Sequence, residues 1–227
     1  FFVAMGANAT NCVCLGNLKY DLPLAVNKLV DVLPRLLSDL QDRWVWCAGS
    51  THQGEEIPVL TAHQQVRQSL PNALLMLAPR HLRHLDEVKG QIETHGLRWV
   101  LWSDWVQDKA RVADVGVILV DQLGVLVTAY QLAQACFVGG SLVPWGGHNM
   151  LEPAALRKPI VTGEHNHNFA EIAQVLGQAN ALQVVDNAQA LAHTLVTWSA
   201  NPEAAMQMGE SAYGVFLSQQ GATSRVL

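Results

Sequence analysis

The sequence is short of charge and of long apolar runs, and each shortage excludes a class of protein. Only 15% of the 227 residues are Asp, Glu, Lys or Arg, well under the roughly 25% of an ordinary globular chain, which argues against disorder and against a coiled coil. The most apolar stretch, Val115 to Ala135, is interrupted by Asp121, Gln122 and Gln131. No run therefore reaches the ~18–20 apolar residues of a membrane-spanning helix. The first residues lack the basic segment and small-residue cleavage site of a signal peptide. Cysteine is scarce: Cys12, Cys14, Cys47 and Cys136 make no Cys-x-x-Cys pair, and Cys12-x-Cys14 alone is too little for zinc. Buried thiols in a reducing compartment are the expectation. Positive charge is also short, with 14 basic against 19 acidic residues and a net charge of −5, which gives a nucleic-acid partner no electrostatic support. No Walker loop, Gly-x-Ser-x-Gly elbow or His-Glu-x-x-His motif occurs.

What is present is half hydrophobic and long enough for one large domain with its own core, or for two small ones. The chain begins at Phe1 without an initiating methionine, and we expect it to be part of a longer protein. Short continuous apolar runs span Arg43 to Ala48, Ala73 to Ala78, Arg98 to Trp102, Gly116 to Val120, Ala135 to Val138, Pro159 to Thr162 and Ala181 to Val185. Such runs read as strands buried on both faces. Between them lie helical periods: Leu29, Leu33, Leu36, Leu37 and Leu40, then Glu55 to Leu70, His81 to His95, Gly124 to Gln134, Asn168 to Gln178, Asn187 to Ser199 and Glu203 to Gln219. Alternating strands and helices predict an α/β fold, a doubly wound parallel sheet with right-handed crossovers.

In such a sheet ligands bind outside the carboxyl ends of the strands, so the turns after strands are the informative segments. In Gly49-Ser50-Thr51-His52-Gln53-Gly54-Glu55-Glu56, the glycines allow close approach. The hydroxyls of Ser50 and Thr51 and a helix start near Gly54 suit a phosphate or a sugar carboxylate. A plain turn with a Ser or Thr cap and two acids fits the same residues. In Pro79-Arg80-His81, Arg80 is placed to clamp an anion and His81 to give a hydrogen bond or a proton; a surface Arg with a helix-capping His fits the same residues. The strongest segment runs from Gly139 to Ala154, with four glycines and two prolines in sixteen residues. Here Gly140 and Ser141 could offer backbone N–H groups to a phosphate, and Gly146–Gly147 could open a helix aimed the same way. Glu152, in the first turn of the next helix, could accept from two vicinal sugar hydroxyls. Trp145 is the stacking candidate, whereas Trp44, Trp46, Trp99 and Trp102 belong to the core. His165-x-His167 reads as a polar rim rather than a metal pair, and Asp121 as a helix cap before Gly124.

The segments AGSTHQGEE at 48–56, APRH at 78–81, FVGGSLVPWGGHNMLEPAAL at 137–156 and KPIVTGEHNHNFAEIA at 158–173 resemble the 3-deoxy-D-manno-octulosonic acid (Kdo) transferase family of lipopolysaccharide synthesis. The resemblance implies the C-terminal half of a GT-B glycosyltransferase. Residues 1–22 would be the interdomain crossover and 23–227 a Rossmann-like donor domain. It further implies CMP-Kdo as donor, lipid A precursor (lipid IVA) as acceptor, no metal or other cofactor, and work at the cytoplasmic face of the bacterial inner membrane. The membrane anchor and the catalytic carboxylate would belong to the N-terminal half, leaving no catalytic residue here and an inactive fragment. The donor site implied is Gly49, Ser50, Thr51, Arg80, His81, Gly140, Ser141, Gly146, Gly147, His148, Asn149 and Glu152, with Glu152 on the ribose. The Ser50–Thr51 turn, Arg80 and Gly140–Ser141 would meet phosphate and the Kdo carboxylate. One departure is visible: where the family reads Asp-x-x-Gly-Glu-Leu, this chain has Asp121-Gln122-Leu123-Gly124-Val125-Leu126. The rival readings are a GT-B enzyme using a UDP-sugar and a non-catalytic nucleotide-binding module.

Overall fold

A computed structural model describes residues 3–8, 29 and 31–220. Beyond residues 3–8, the expected crossover segment lies outside the described residues. The elements run α1 (Leu33–Asp39), β1 (Trp44–Thr51), α2 (Glu56–Ser69), β2 (Ala73–Pro79), α3 (Leu85–Thr94), β3 (Trp99–Leu101), α4 (Trp102–Val106) and β4 (Val117–Leu119). They continue as α5 (Leu126–Leu132), β5 (Ala135–Val138), α6 (Leu151–Ala155), β6 (Ile160–Thr162), α7 (Ala170–Gln178), β7 (Gln183–Val184), α8 (Ala188–Ala200) and α9 (Pro202–Ser218). The strands form one sheet in the order β3-β4-β2-β1-β5-β6-β7, every pair parallel. All seven apolar runs are strands, as the pattern predicts.

Side chains of β1 alternate between two cores, as strand geometry requires. Trp46 and Ala48 face α2, α3 and α8, where they meet Val59, Val66, Ile92 and Leu195. Val45 and Cys47 face α1, α4 and α5, with Leu36, Trp102, Trp105 and Ala129. A third cluster joins α6, α7 and α9. Each such buried apolar side chain contributes about 1.5–3 kcal/mol. No helix among the described residues is long and apolar enough to cross a membrane.

Three boundaries differ from the sequence reading. Trp102 starts α4 instead of ending β3, because its ring turns into the second core against Trp105 at 5.5 Å. Strand β1 runs on through Gly49 and Ser50 to Thr51, with a register shift at Ser50. The last strand shrinks to two exposed residues at the sheet edge.

His63 lies on the apolar side of α2 and is fully buried. Trp46 Nε1 donates to its Nδ1 at 3.0 Å, and its Nε2 lies 2.8 Å from the Gly116 carbonyl. An indole N–H can only donate and a carbonyl only accept, so the ring is neutral with its proton on Nε2. Burial drives its pKa from 6.5 to about 3. The unfolded chain takes up this proton near pH 6.5 and the folded chain only near 3, so lowering the pH through that window favours unfolding. We expect denaturant titrations to show stability falling across this range by up to about 1.4 kcal/mol per pH unit more steeply than in His63→Gln. Parallel slopes for the two proteins would refute this account.

Candidate functional site

Strand β1 pairs with β2 on one side and β5 on the other, so the chain changes direction across the sheet here and leaves a crevice at the strand ends. The ends of β1 and β5 lie very close. A Cβ on Gly139 would sit 2.7 Å from the Ser50 carbonyl oxygen, and Ser50 itself takes a left-handed backbone with φ 57°.

Glu55 closes this crevice from behind. Its fully buried carboxylate accepts four backbone N–H groups: His52 at 2.9 Å, Gly140 at 2.6 Å, Ser141 at 2.8 Å and Leu142 at 2.8 Å. This corrects the sequence reading of Gly140 and Ser141. Their N–H groups meet an internal carboxylate and are not open to a phosphate. Ser141 is likewise fully buried; its hydroxyl donates to the Val138 carbonyl at 2.7 Å and accepts from Gly163 N–H at 2.8 Å. Glu55 was missed because an acid at a helix start is ordinarily explained by the dipole. It is itself the N-cap of α2 and reaches back to the His52 N–H; with His at 52 in place of Ser or Thr, the capping-box signature that could have marked it is missing from the sequence.

Gly146 and Gly147 do not open a helix, since α6 begins only at Leu151. Both have positive φ, 100° and 77°, and Gly147 N–H donates to the Gly140 carbonyl at 2.7 Å. A side chain on either would overlap the 166–168 turn. His165 and His167 stand exposed on that turn, while buried Asn166 ties it down through Thr162 and Gly163. Among the described residues no group of three or more His, Cys, Asp or Glu could hold a metal ion. Asp121 neither reaches the crevice nor caps α5. It accepts from Ser103 N–H at 2.9 Å and Ser103 Oγ at 2.6 Å, capping α4.

On the rim, His52 stacks on Trp145 at 4.6 Å and on His148 at 5.0 Å, with His81 edge-on at 5.4 Å. The Nε2 atoms of His52 and His148 are 2.8 Å apart. One ring must donate and the other accept, which requires at least one neutral ring. Burial, then the proximity of His52, Arg80 and His81, pushes His148 down to about 4. Arg80 N–H donates to the Thr51 carbonyl at 2.8 Å, while its exposed guanidinium has no hydrogen bond or ion pair among the described residues. Thr51 and His81 turn away from Ser50 into a separate small pocket of about 10 Å³ with Glu56, whose carboxyl burial pushes up to about 6.

The main pocket, about 350 Å³, has a polar wall of Ser50, Arg80, His148, Asn149 and Glu152. Its other wall is Gly124, Leu126, Val127, Tyr130 and Phe169, so the turn lacking the family's acid is apolar here. Gly49 serves this pocket indirectly, since a Cβ on it would overlap Tyr130. Glu152 is largely enclosed, with Asn149 Nδ2 at 3.4 Å, and burial raises its pKa. Asn149 Oδ1 accepts from Leu151 N–H at 3.1 Å. Of the residues expected from sequence, the structure gathers Ser50, Arg80, His148, Asn149 and Glu152 around one cavity, and sets Thr51, His81, Gly140, Ser141, Gly146 and Gly147 around or behind it.

No protein-family profile matches the chain. The C-terminal domain of a glycosyl transferase group 1 family protein from Francisella tularensis shares the fold, with a TM-score of 0.54 at 12% identity over 81% of this chain and 91% of that one. The domain is the C-terminal half of a GT-B glycosyltransferase fold. The chain is 35% identical over 215 residues to 3-deoxy-D-manno-octulosonic acid transferase of Haemophilus influenzae, covering 93% of this chain and 49% of the relative. The crystal structure of the C-terminal CMP-Kdo binding domain of WaaA from Acinetobacter baumannii matches with a TM-score of 0.73 at 34% identity, over 78% of this chain and 90% of that one. The chain belongs to the 3-deoxy-D-manno-octulosonic acid transferase family. It spans about half the length of the curated relatives it matches; the Bordetella pertussis protein, 31% identical, is covered over 51% of its length.

Two outcomes test this geometry. Glu55→Gln leaves one acceptor oxygen for four donors and should lower stability by roughly 2–4 kcal/mol, with faster amide hydrogen exchange at residues 140–142. In nitrogen-15 NMR titrations His148 should stay neutral down to about pH 4; protonation near 6.5 would contradict the buried pairing.

Proposed function

We propose that this chain is the donor-binding half of a Kdo transferase, and that the main pocket receives CMP-Kdo. The observation carrying this reading is the enclosed Glu152 carboxylate in one pocket with the unpaired Arg80, in a domain that aligns with one named for CMP-Kdo binding. Glu152 accepts hydrogen bonds from the two ribose hydroxyls. Arg80 meets the phosphate, and Ser50 lies beside it. When the bond from the anomeric carbon of Kdo to the phosphate oxygen breaks, CMP leaves with the electron pair, and Arg80 stabilises the charge that builds. The acceptor hydroxyl attacks that carbon and loses its proton to a base in the other half of the protein. The acceptor in this proposal is a lipid A precursor, lipid IVA, presented at the cytoplasmic face of the inner membrane. Transfer runs without a metal cofactor, with Arg80 as the cation at the phosphate.

Glu152→Gln should weaken CMP binding in calorimetry by roughly 1–3 kcal/mol; unchanged affinity would remove Glu152 from the ribose. CMP should raise the melting temperature more than UDP does, and EDTA should leave that shift intact. The reverse preference would favour a UDP-sugar enzyme. The chain by itself should transfer no Kdo, and measurable turnover would show that the base lies within it.

A further inference from the structure

Tyr130 lies within α5 and is 1% exposed, yet its hydroxyl makes no hydrogen bond among the described residues. Buried phenols ordinarily find a partner; the sealed side-chain atoms without one are Thr51 Oγ1, Gln91 Oε1 and Trp102 Nε1 among the described residues, and Tyr130 Oη is not one of them, so it keeps contact with open space. The hydroxyl reaches under the end of β1 at Gly49, where any Cβ would overlap the Tyr130 Oη and lie 2.5 Å from its Cζ and 2.9 Å from Leu126 Cδ1. Gly49 is absent from the residues with positive φ, so it is the passage of the phenol, not the backbone conformation, that requires glycine there. Tyr130 also lines the main pocket with Ser50, Arg80 and Glu152. The oxygen lies against the residue before Ser50, and Arg80 is tied to the same strand end through Thr51. That is the end of the pocket where an anion would meet Arg80.

We propose that the Tyr130 hydroxyl donates a hydrogen bond to a phosphate oxygen of the bound nucleotide, beside Arg80. The assignment rests on the donor-site reading above and adds to it a residue that sets selectivity for a nucleoside phosphate over a nucleoside. Burial, with Glu152 among its neighbours, raises the phenol pKa and keeps the proton in place to donate.

Tyr130→Phe removes the one oxygen and keeps the ring. Because that oxygen has no partner in the protein, the melting temperature of the unliganded variant should hold or rise. Its affinity for CMP in calorimetry should fall roughly tenfold, with its affinity for cytidine unchanged. A marked loss of thermal stability would reveal a structural partner and overturn the assignment. So would unchanged CMP affinity, or an equal loss for CMP and cytidine. If the unsubstituted chain binds no CMP at all, the donor-site reading fails and this assignment with it; if that chain binds CMP and the variant binds it as well, only the assignment fails.

Discussion

The crevice depends on one carboxylate. Glu55 gathers N–H groups from the end of β1 and from three successive residues after β5, and so joins the two loops. Backbone N–H groups buried without partners would cost about 1–3 kcal/mol each. The charge compensates them, and they compensate the charge. The loop held this way carries the rest of the site in turn. Gly140 receives Gly147 N–H, which sets the approach to His148, Asn149 and Glu152. The floor is thus formed before any ligand arrives, and binding need not bear the cost of ordering the loop.

An internal anion in this position also moves the work of meeting an external one. The backbone amides that a glycine-rich loop would offer are already engaged, and the rim histidines are held as neutral bases by burial and by one another. Positive charge at the pocket therefore comes chiefly from Arg80. A single exposed guanidinium at this rim gives a phosphate direction without making the pocket a general trap for anions.

The fold was legible because burial on both faces writes continuous apolar runs, and each of the seven became a strand. The pocket was legible where a residue's location follows from strand order, as for Ser50, Arg80 and Glu152. It was not legible where the destination of a hydrogen bond mattered. Nothing local to Gly140–Ser141 says that a carboxylate 85 residues earlier will occupy their N–H groups. Nothing near Asp121 shows that it caps α4 rather than α5. Thr51 illustrates the period-two rule: one residue beyond Ser50, past a bulge, it faces a different cavity. Tyr130 drew no reading of its own from sequence, because its significance depends on the missing side chain at Gly49, on another element.

At two points along the crevice main chain rests directly on main chain. Gly139 rests on the Ser50 carbonyl, and Gly163 on that of Ser141. At these points the shape of the floor is written by backbone atoms, which every residue type supplies alike. One added methyl at either glycine would redraw the crevice, as would loss of the Glu55 carboxylate that holds its loops. Mutational tolerance in this domain should be distributed unevenly: broad across the helices, and almost nil along a thin seam running from β1 through β5 to β6.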